Sequence, residues 1–142
     1  MNNSLVTRSL TPLAVICALA LLGINSLAAA EQAQKPQVIG LMLYSDTCAS
    51  CQVLDPKIEA AKADFKDQAL LFATLDHSND GSKQQASLLA HALGLGELYK
   101  AQEKASGFML LVNAESGEVL ATLTRDMSDE DIKAAFTKAL EA

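Results

Sequence analysis

Three features of the sequence predict an α/β fold. Two near-continuous apolar runs, Val38 to Tyr44 and Ala69 to Leu75, are separated by a stretch of helical spacing, as in a strand–helix–strand unit. Two further strand-like runs, Phe108 to Val112 and Glu118 to Thr124, flank Asn113-Ala114-Glu115-Ser116-Gly117, whose composition suits a hairpin. A capped amphipathic segment after Met127 then closes the chain.

The first thirty residues stand apart from this pattern. Arg8 and the amino terminus precede an apolar run from Leu10 to Ile24, and Ser26-Leu27-Ala28-Ala29-Ala30 offers small residues suited to cleavage before Glu31. Residues 1–30 therefore read as a signal peptide; the competing reading is an uncleaved membrane anchor, since the apolar stretch approaches a bilayer-spanning length. Cys17 lies inside the run and would be lost with it. Residues 31–37 form a polar linker and 38–142 the folded domain. A chain of 142 residues, half of them hydrophobic, can build one core but not two. Without residues 1–30, ten Lys and Arg face seventeen Asp and Glu, a net charge of −7. Such a balance argues against nucleic acid and anionic membrane surfaces as partners.

Within the domain, Val38 to Tyr44 has the character of a strand buried on both faces, which places it centrally. Residues 51–66 put Val53, Leu54, Ile58, Ala61 and Phe65 on an apolar helical face, opposite Lys57, Asp64 and Lys66. Ala69 to Leu75 is expected to be a second buried strand, ended by the polar loop Asp76 to Gly81. A crossover of this length makes the two strands parallel and right-handed. Lys83 to Leu93 reads as a helix, Gly94 and Gly96 break it, and Glu97 to Lys104 supplies another short one. In the last segment Ser128 caps a helix, Asp129, Glu130 and Asp131 meet its positive end, and Met127 staples onto Ile132. Phe136 and Leu140 continue the stripe.

Cys48-Ala49-Ser50-Cys51 occupies the turn between the first strand and the first helix. A thiol at a helix N-terminus meets unpaired N–H groups and the positive end of the macrodipole, which favour its reactive thiolate. Cys48 is that thiol. Cys51, one turn inside, is more shielded and suited to resolving a mixed disulfide formed on Cys48. A structural disulfide, two buried thiols or half of a zinc site are the alternatives, although the zinc reading lacks a second ligand pair. Once Cys17 is gone these are the only two cysteines, unlike the many half-cystines of a disulfide-stapled scaffold.

The element order, with this motif after the first strand, resembles the thioredoxin family over residues 38–140. Tyr44 to Lys57 resembles its active-site segment, including a proline, Pro56, five residues after the second cysteine. The resemblance implies a minimal thioredoxin-like fold, a central four-stranded mixed sheet flanked by helices. The departures are specific. Thr47 stands in place of the tryptophan common before the first cysteine, and Ala49-Ser50 replaces Gly-Pro. Met42 occupies the position of a buried aspartate that assists proton transfer to the second cysteine. The family's cis-proline should fall among Gly107, Phe108 and Met109, where this chain has no proline.

The resemblance implies a thiol-disulfide oxidoreductase with Cys48 as nucleophile and Cys51 as resolving thiol, and the leader implies export, to the periplasm or, as alternatives, anchored facing the periplasm or secreted. Its partners would be disulfide- or dithiol-bearing exported proteins and a redox partner protein, with a membrane involved only if the leader stays uncleaved. No flavin, nicotinamide or haem site is visible. Gly107, Phe108 and Met109 become candidate substrate-binding residues. In the family the cis-proline also keeps metals from the paired thiols, so its loss opens a second reading: a Cu(I)-binding module using Cys48, Cys51 and the Met109 thioether. A third is a partner-binding domain without redox activity. His77 in a loop, His91 on a helix and Asp46 two residues before Cys48 are secondary candidates; Asp46, if close, would oppose thiolate formation.

Overall fold

The computed structural model describes residues 35–142, so the leader 1–30, Cys17 and residues 31–34 of the linker lie outside the described residues. Strand β1 (Val38–Tyr44) is the hub. It runs parallel to β2 (Leu70–Asp76), from Val38 opposite Leu70 to Tyr44 opposite Asp76, and antiparallel to β3 (Phe108–Asn113), with Leu43 opposite Phe108. β3 pairs antiparallel with β4 (Val119–Thr124), giving the order β2-β1-β3-β4. The consequence for function is positional. The C-terminal ends of β1 and β2 and the start of β3 meet at one end of the sheet, where the Cys48 turn leaves β1.

Alternation of side chains divides the core between the two sheet faces. On one face Val38, Met42, Met109, Leu111 and Leu123 pack under helices α1 (Ala49–Lys62) and α4 (Asp129–Leu140), with Cys51, Leu54, Ile58 and Phe136. The Phe136 ring meets Phe65 and Phe72 edge-on, at centroid distances of 5.2 and 5.4 Å. On the other face Ile39, Leu41, Leu43 and Leu75 pack under α2 (Asp80–Ala92) and α3 (Gly96–Ala101) through Ala86, Ala90, Leu95 and Tyr99.

Several boundaries move for local reasons. α1 starts at Ala49, two residues earlier than the spacing predicts, because Cys48 itself is the N-cap and accepts from the Cys51 N–H. Pro56 sits inside this helix, and the Phe65 end of the predicted run is a separate 3-10 turn, Ala63–Phe65. Val53 is 46% exposed rather than core, because it lies two residues past Cys51 on the turn facing solvent. α2 begins at Asp80, held by a reciprocal cap between Asn79 and Ser82 in a polar first turn without apolar periodicity. α3 is shorter than expected. The expectation that the second strand is buried is corrected: β2 is an edge strand with Leu71 38% exposed, since no strand among the described residues pairs beyond it. The hairpin forms as expected, with Asn113 Oδ1 accepting from the Glu115 and Ser116 N–H groups and Gly117 at φ 74°. Ser128 and Asp131 form the reciprocal cap of α4.

Candidate active site

The two thiols of the Cys48 turn are not equivalent. Cys48 is partly exposed and Cys51 is 0% exposed, and both are free. The Cys48 Sγ accepts the Cys51 N–H at 3.3 Å, as an N-cap side chain does. Partial burial pushes the Cys48 thiol up, but donors outweigh it: the Cys51 thiol and amide, the Ser106 hydroxyl and the Ser50 amide hold it below its ordinary value. Cys51 moves the other way. Burial raises its pKa to about 11, assisted by its hydrogen bond to Cys48 and by the Cys48 charge, against the amides of Ser45 and Gly107. The Ser45 N–H donates to Cys51 Sγ at 3.4 Å, and the Cys51 thiol faces the Leu43 carbonyl at 3.8 Å. One sulfur is thus reachable and thiolate-prone, and its neighbour is a buried reservoir for a proton.

Gly107 closes the site from the far side. Its φ is +95°, its N–H donates to the Leu43 carbonyl at 2.8 Å, and it is buried. A Cβ there would stand 2.8 Å from Ser50 Cβ and 3.1 Å from Cys48 Sγ. Glycine is what allows this loop to lie against the thiol. Proline, with φ fixed near −65°, does not fit that backbone, and no peptide bond among the described residues is cis. Of the three residues singled out at the missing proline, Gly107 therefore faces Cys48. Phe108 borders a groove of about 390 Å³ shared with Ser50, Gln102, Leu110, Thr122, Thr124, Arg125 and Asp126. Met109 is 1% exposed, and its sulfur fills the space over Gly40, 3.3 Å from where a Cβ would be. Its thioether is core packing.

The secondary candidates separate as well. Asp46 is exposed, and it is its peptide that enters the site: the N–H donates to Ser78 Oγ and the carbonyl accepts from Gln52 Nε2, both at 2.9 Å. His77 packs its ring edge-on against Tyr99 at 5.5 Å, and its N–H donates to the Tyr44 carbonyl. His91 lies on the exposed side of α2, with Nδ1 2.7 Å from the Ser87 carbonyl and its ring stacked over Gly96. Neither imidazole joins the thiols. Among the described residues, no three His, Cys, Asp or Glu side chains gather as a metal site. Lys57, expected on the polar side of its helix, instead donates to the carbonyls of Arg125 and Met127 at 3.0 and 2.7 Å and ties down the turn beside the groove.

Sequence reasoning missed Ser106 and Ser45. Ser106 could have been found by its place immediately before Gly107. The Ser45 contribution is a backbone N–H, which every non-proline residue carries, so no residue type announces it.

No sequence-family model and no curated protein matches the chain. Solved structures do. The thioredoxin domain of the thiol-disulfide oxidoreductase BVU-2223 from Bacteroides vulgatus superposes with a TM-score of 0.51 at 14% identity, over 75% of this chain and 81% of that one. StoA from Bacillus subtilis gives a TM-score of 0.48 at 19% identity, over 72% and 84%. The first of these, together with the sheet order and the site at the end of β1, gives the assignment: the chain has a thioredoxin-like fold, in a minimal form with a four-stranded mixed sheet.

Proposed function

We propose that the chain is a thiol-disulfide oxidoreductase acting on exported proteins, with Cys48 as nucleophile and Cys51 as resolving thiol. One observation carries this reading: the thiol at the helix end is partly exposed and accepts the Cys51 N–H at 3.3 Å, while its neighbour is 0% exposed. In the reducing direction, the Cys48 thiolate attacks one sulfur of a partner disulfide and expels the other as a thiolate, which takes up a proton. Cys51 then gives up its proton and attacks Cys48 Sγ, releasing the second partner thiol and leaving a Cys48–Cys51 disulfide. Two electrons have passed to the partner. Run backwards, the same steps oxidise a partner dithiol. A second protein must reset the pair. Export and a periplasmic site of action rest on the leader-like residues 1–30.

The test is differential alkylation of the reduced protein at mildly acidic pH. Cys48 is expected to react at least about tenfold faster than Cys51, because only it is both reachable and thiolate-prone. Equal or reversed rates remove the assignment. In cells, Cys51→Ser should accumulate mixed disulfides with exported proteins and Cys48→Ser should not. Retention of Cu(I) by the reduced protein against a moderate competitor, without disulfide exchange, would instead favour the metal-binding reading.

A further inference from the structure

The turn that presents Cys48 is held from outside its own helix by a short chain of polar groups that the thiol chemistry does not by itself require. Asp76, the last residue of β2, accepts from both the N–H and the hydroxyl of Ser78 through Oδ1, at 2.8 and 2.5 Å. The hydroxyl oxygen so oriented accepts the Asp46 N–H at 2.9 Å. On the other side of the same residue, Gln52 Nε2 donates to the Asp46 carbonyl at 2.9 Å. Asp46 is thereby gripped at both of its peptide groups.

What lies next to that grip is the site itself. The peptide joining Ser45 to Asp46 carries the carbonyl that accepts the Cys48 N–H at 3.1 Å. The peptide before it carries the Ser45 N–H that donates to Cys51 Sγ. A peptide unit is planar, so fixing the Asp46 N–H also fixes the Ser45 carbonyl on its opposite edge. The hydroxyl of Ser78 has one proton, and Asp76 takes it, leaving the oxygen's lone pairs for Asp46. Charge on Asp76 strengthens the whole relay. Consistently, the Ser78 hydroxyl, ahead of opposing burial, holds the Asp76 carboxyl below its usual range.

We propose that Ser78, oriented by Asp76, is a positioning residue that sets the reactivity and redox equilibrium of Cys48 through the Asp46 peptide. The inference rests on the oxidoreductase reading above. Loss of the Ser78 oxygen frees the Ser45–Asp46 peptide, so Cys48 sits less squarely among the donors that stabilise its thiolate. The reduced form is then disfavoured relative to the disulfide, and the equilibrium moves toward the more reducing side.

Ser78→Ala and Ser78→Thr in the full-length protein test this. For Ser78→Ala, the equilibrium constant for reduction by glutathione should fall about threefold to tenfold, and Cys48 alkylation at pH 6 should slow by a similar factor. Ser78→Thr keeps the oxygen and should restore both. Thermal unfolding of the oxidised variants identifies any that have not folded, in which case Asp76→Asn, which weakens the relay without removing a side chain, should move the same two readouts in the same direction. Unchanged equilibrium and rate in a folded Ser78→Ala protein overturn the inference. So does a shift that threonine fails to rescue. Failure of the underlying reading looks different: wild-type Cys48 would show no advantage over Cys51.

Discussion

The two faces of the sheet are finished differently. The face under α1 and α4 is sealed by the Phe65, Phe72 and Phe136 rings and contains Cys51. The other face is covered by α2 and α3 over β1 and β2, while Phe108, Leu110, Thr122 and Thr124 of β3 and β4 line an open groove that reaches Ser50 and Gly107. The sealed face buries the Cys51 thiol; the open one leaves a groove beside the turn that carries the partly exposed Cys48. Shielding and access are divided between the two sides of one sheet.

This comparison can be broken most decisively at Phe136. Phe136→Ala should destabilise the domain by about 3–5 kcal/mol, measured by urea unfolding, because the two facing rings cannot fill the space. A loss under about 1 kcal/mol would mean that the face is not sealed as described.

A smaller effect should follow from Cys51. Its folded pKa, raised to about 11, lies above the ordinary 9.0, so the stabilisation from the neutral thiol is fully present below pH 9.0 and lost as pH rises through about 11. The reduced protein should lose on the order of 2 kcal/mol across that window relative to Cys51→Ala, read by unfolding at each pH. A flat difference would place Cys51 in contact with water.

On the open face the expected effect is smallest. Thr122→Ala, at an exposed position on the groove, should leave unfolding free energy within about 0.5 kcal/mol of wild type. A loss approaching that of Phe136→Ala would erase the distinction between the faces.

Much of this was legible in the residues. The apolar density of Val38 to Tyr44 marks a central strand, the Cys48 turn marks the passage from that strand into the first helix and with it the candidate site, and Ser128 marks the start of the last helix with the correct cap. What escaped depends on long-range geometry. Leu71 is as apolar as a buried strand residue, but it lies on the outermost strand of the sheet among the described residues and is left exposed. Met109 reads from its type as a core strand residue first and as a ligand second; its register opposite Met42, with its sulfur over Gly40, is that of core. Ser78 was one polar residue in a polar loop, and its partner Asp46 is 32 positions away. Val53 fits an apolar stripe by count, but it stands about 100° around the helix from Leu54, off the face that Cys51, Leu54, Ile58 and Ala61 bury.

The exposed margin of the sheet raises a different matter, what opposes pairing of one copy with another along that edge. β2 offers unpaired backbone groups along its outer side, which invite another chain to extend the sheet. Lys62, paired with Glu59, holds its ammonium 5.0 Å above the Phe72 ring of that same strand. A second copy laid edge to edge would have to strip water from this charge or push it off the ring, and neither is favourable. Loss of that one cation, as in Lys62→Met, should therefore be felt as self-association at high concentration before it is felt in folding or in thiol chemistry.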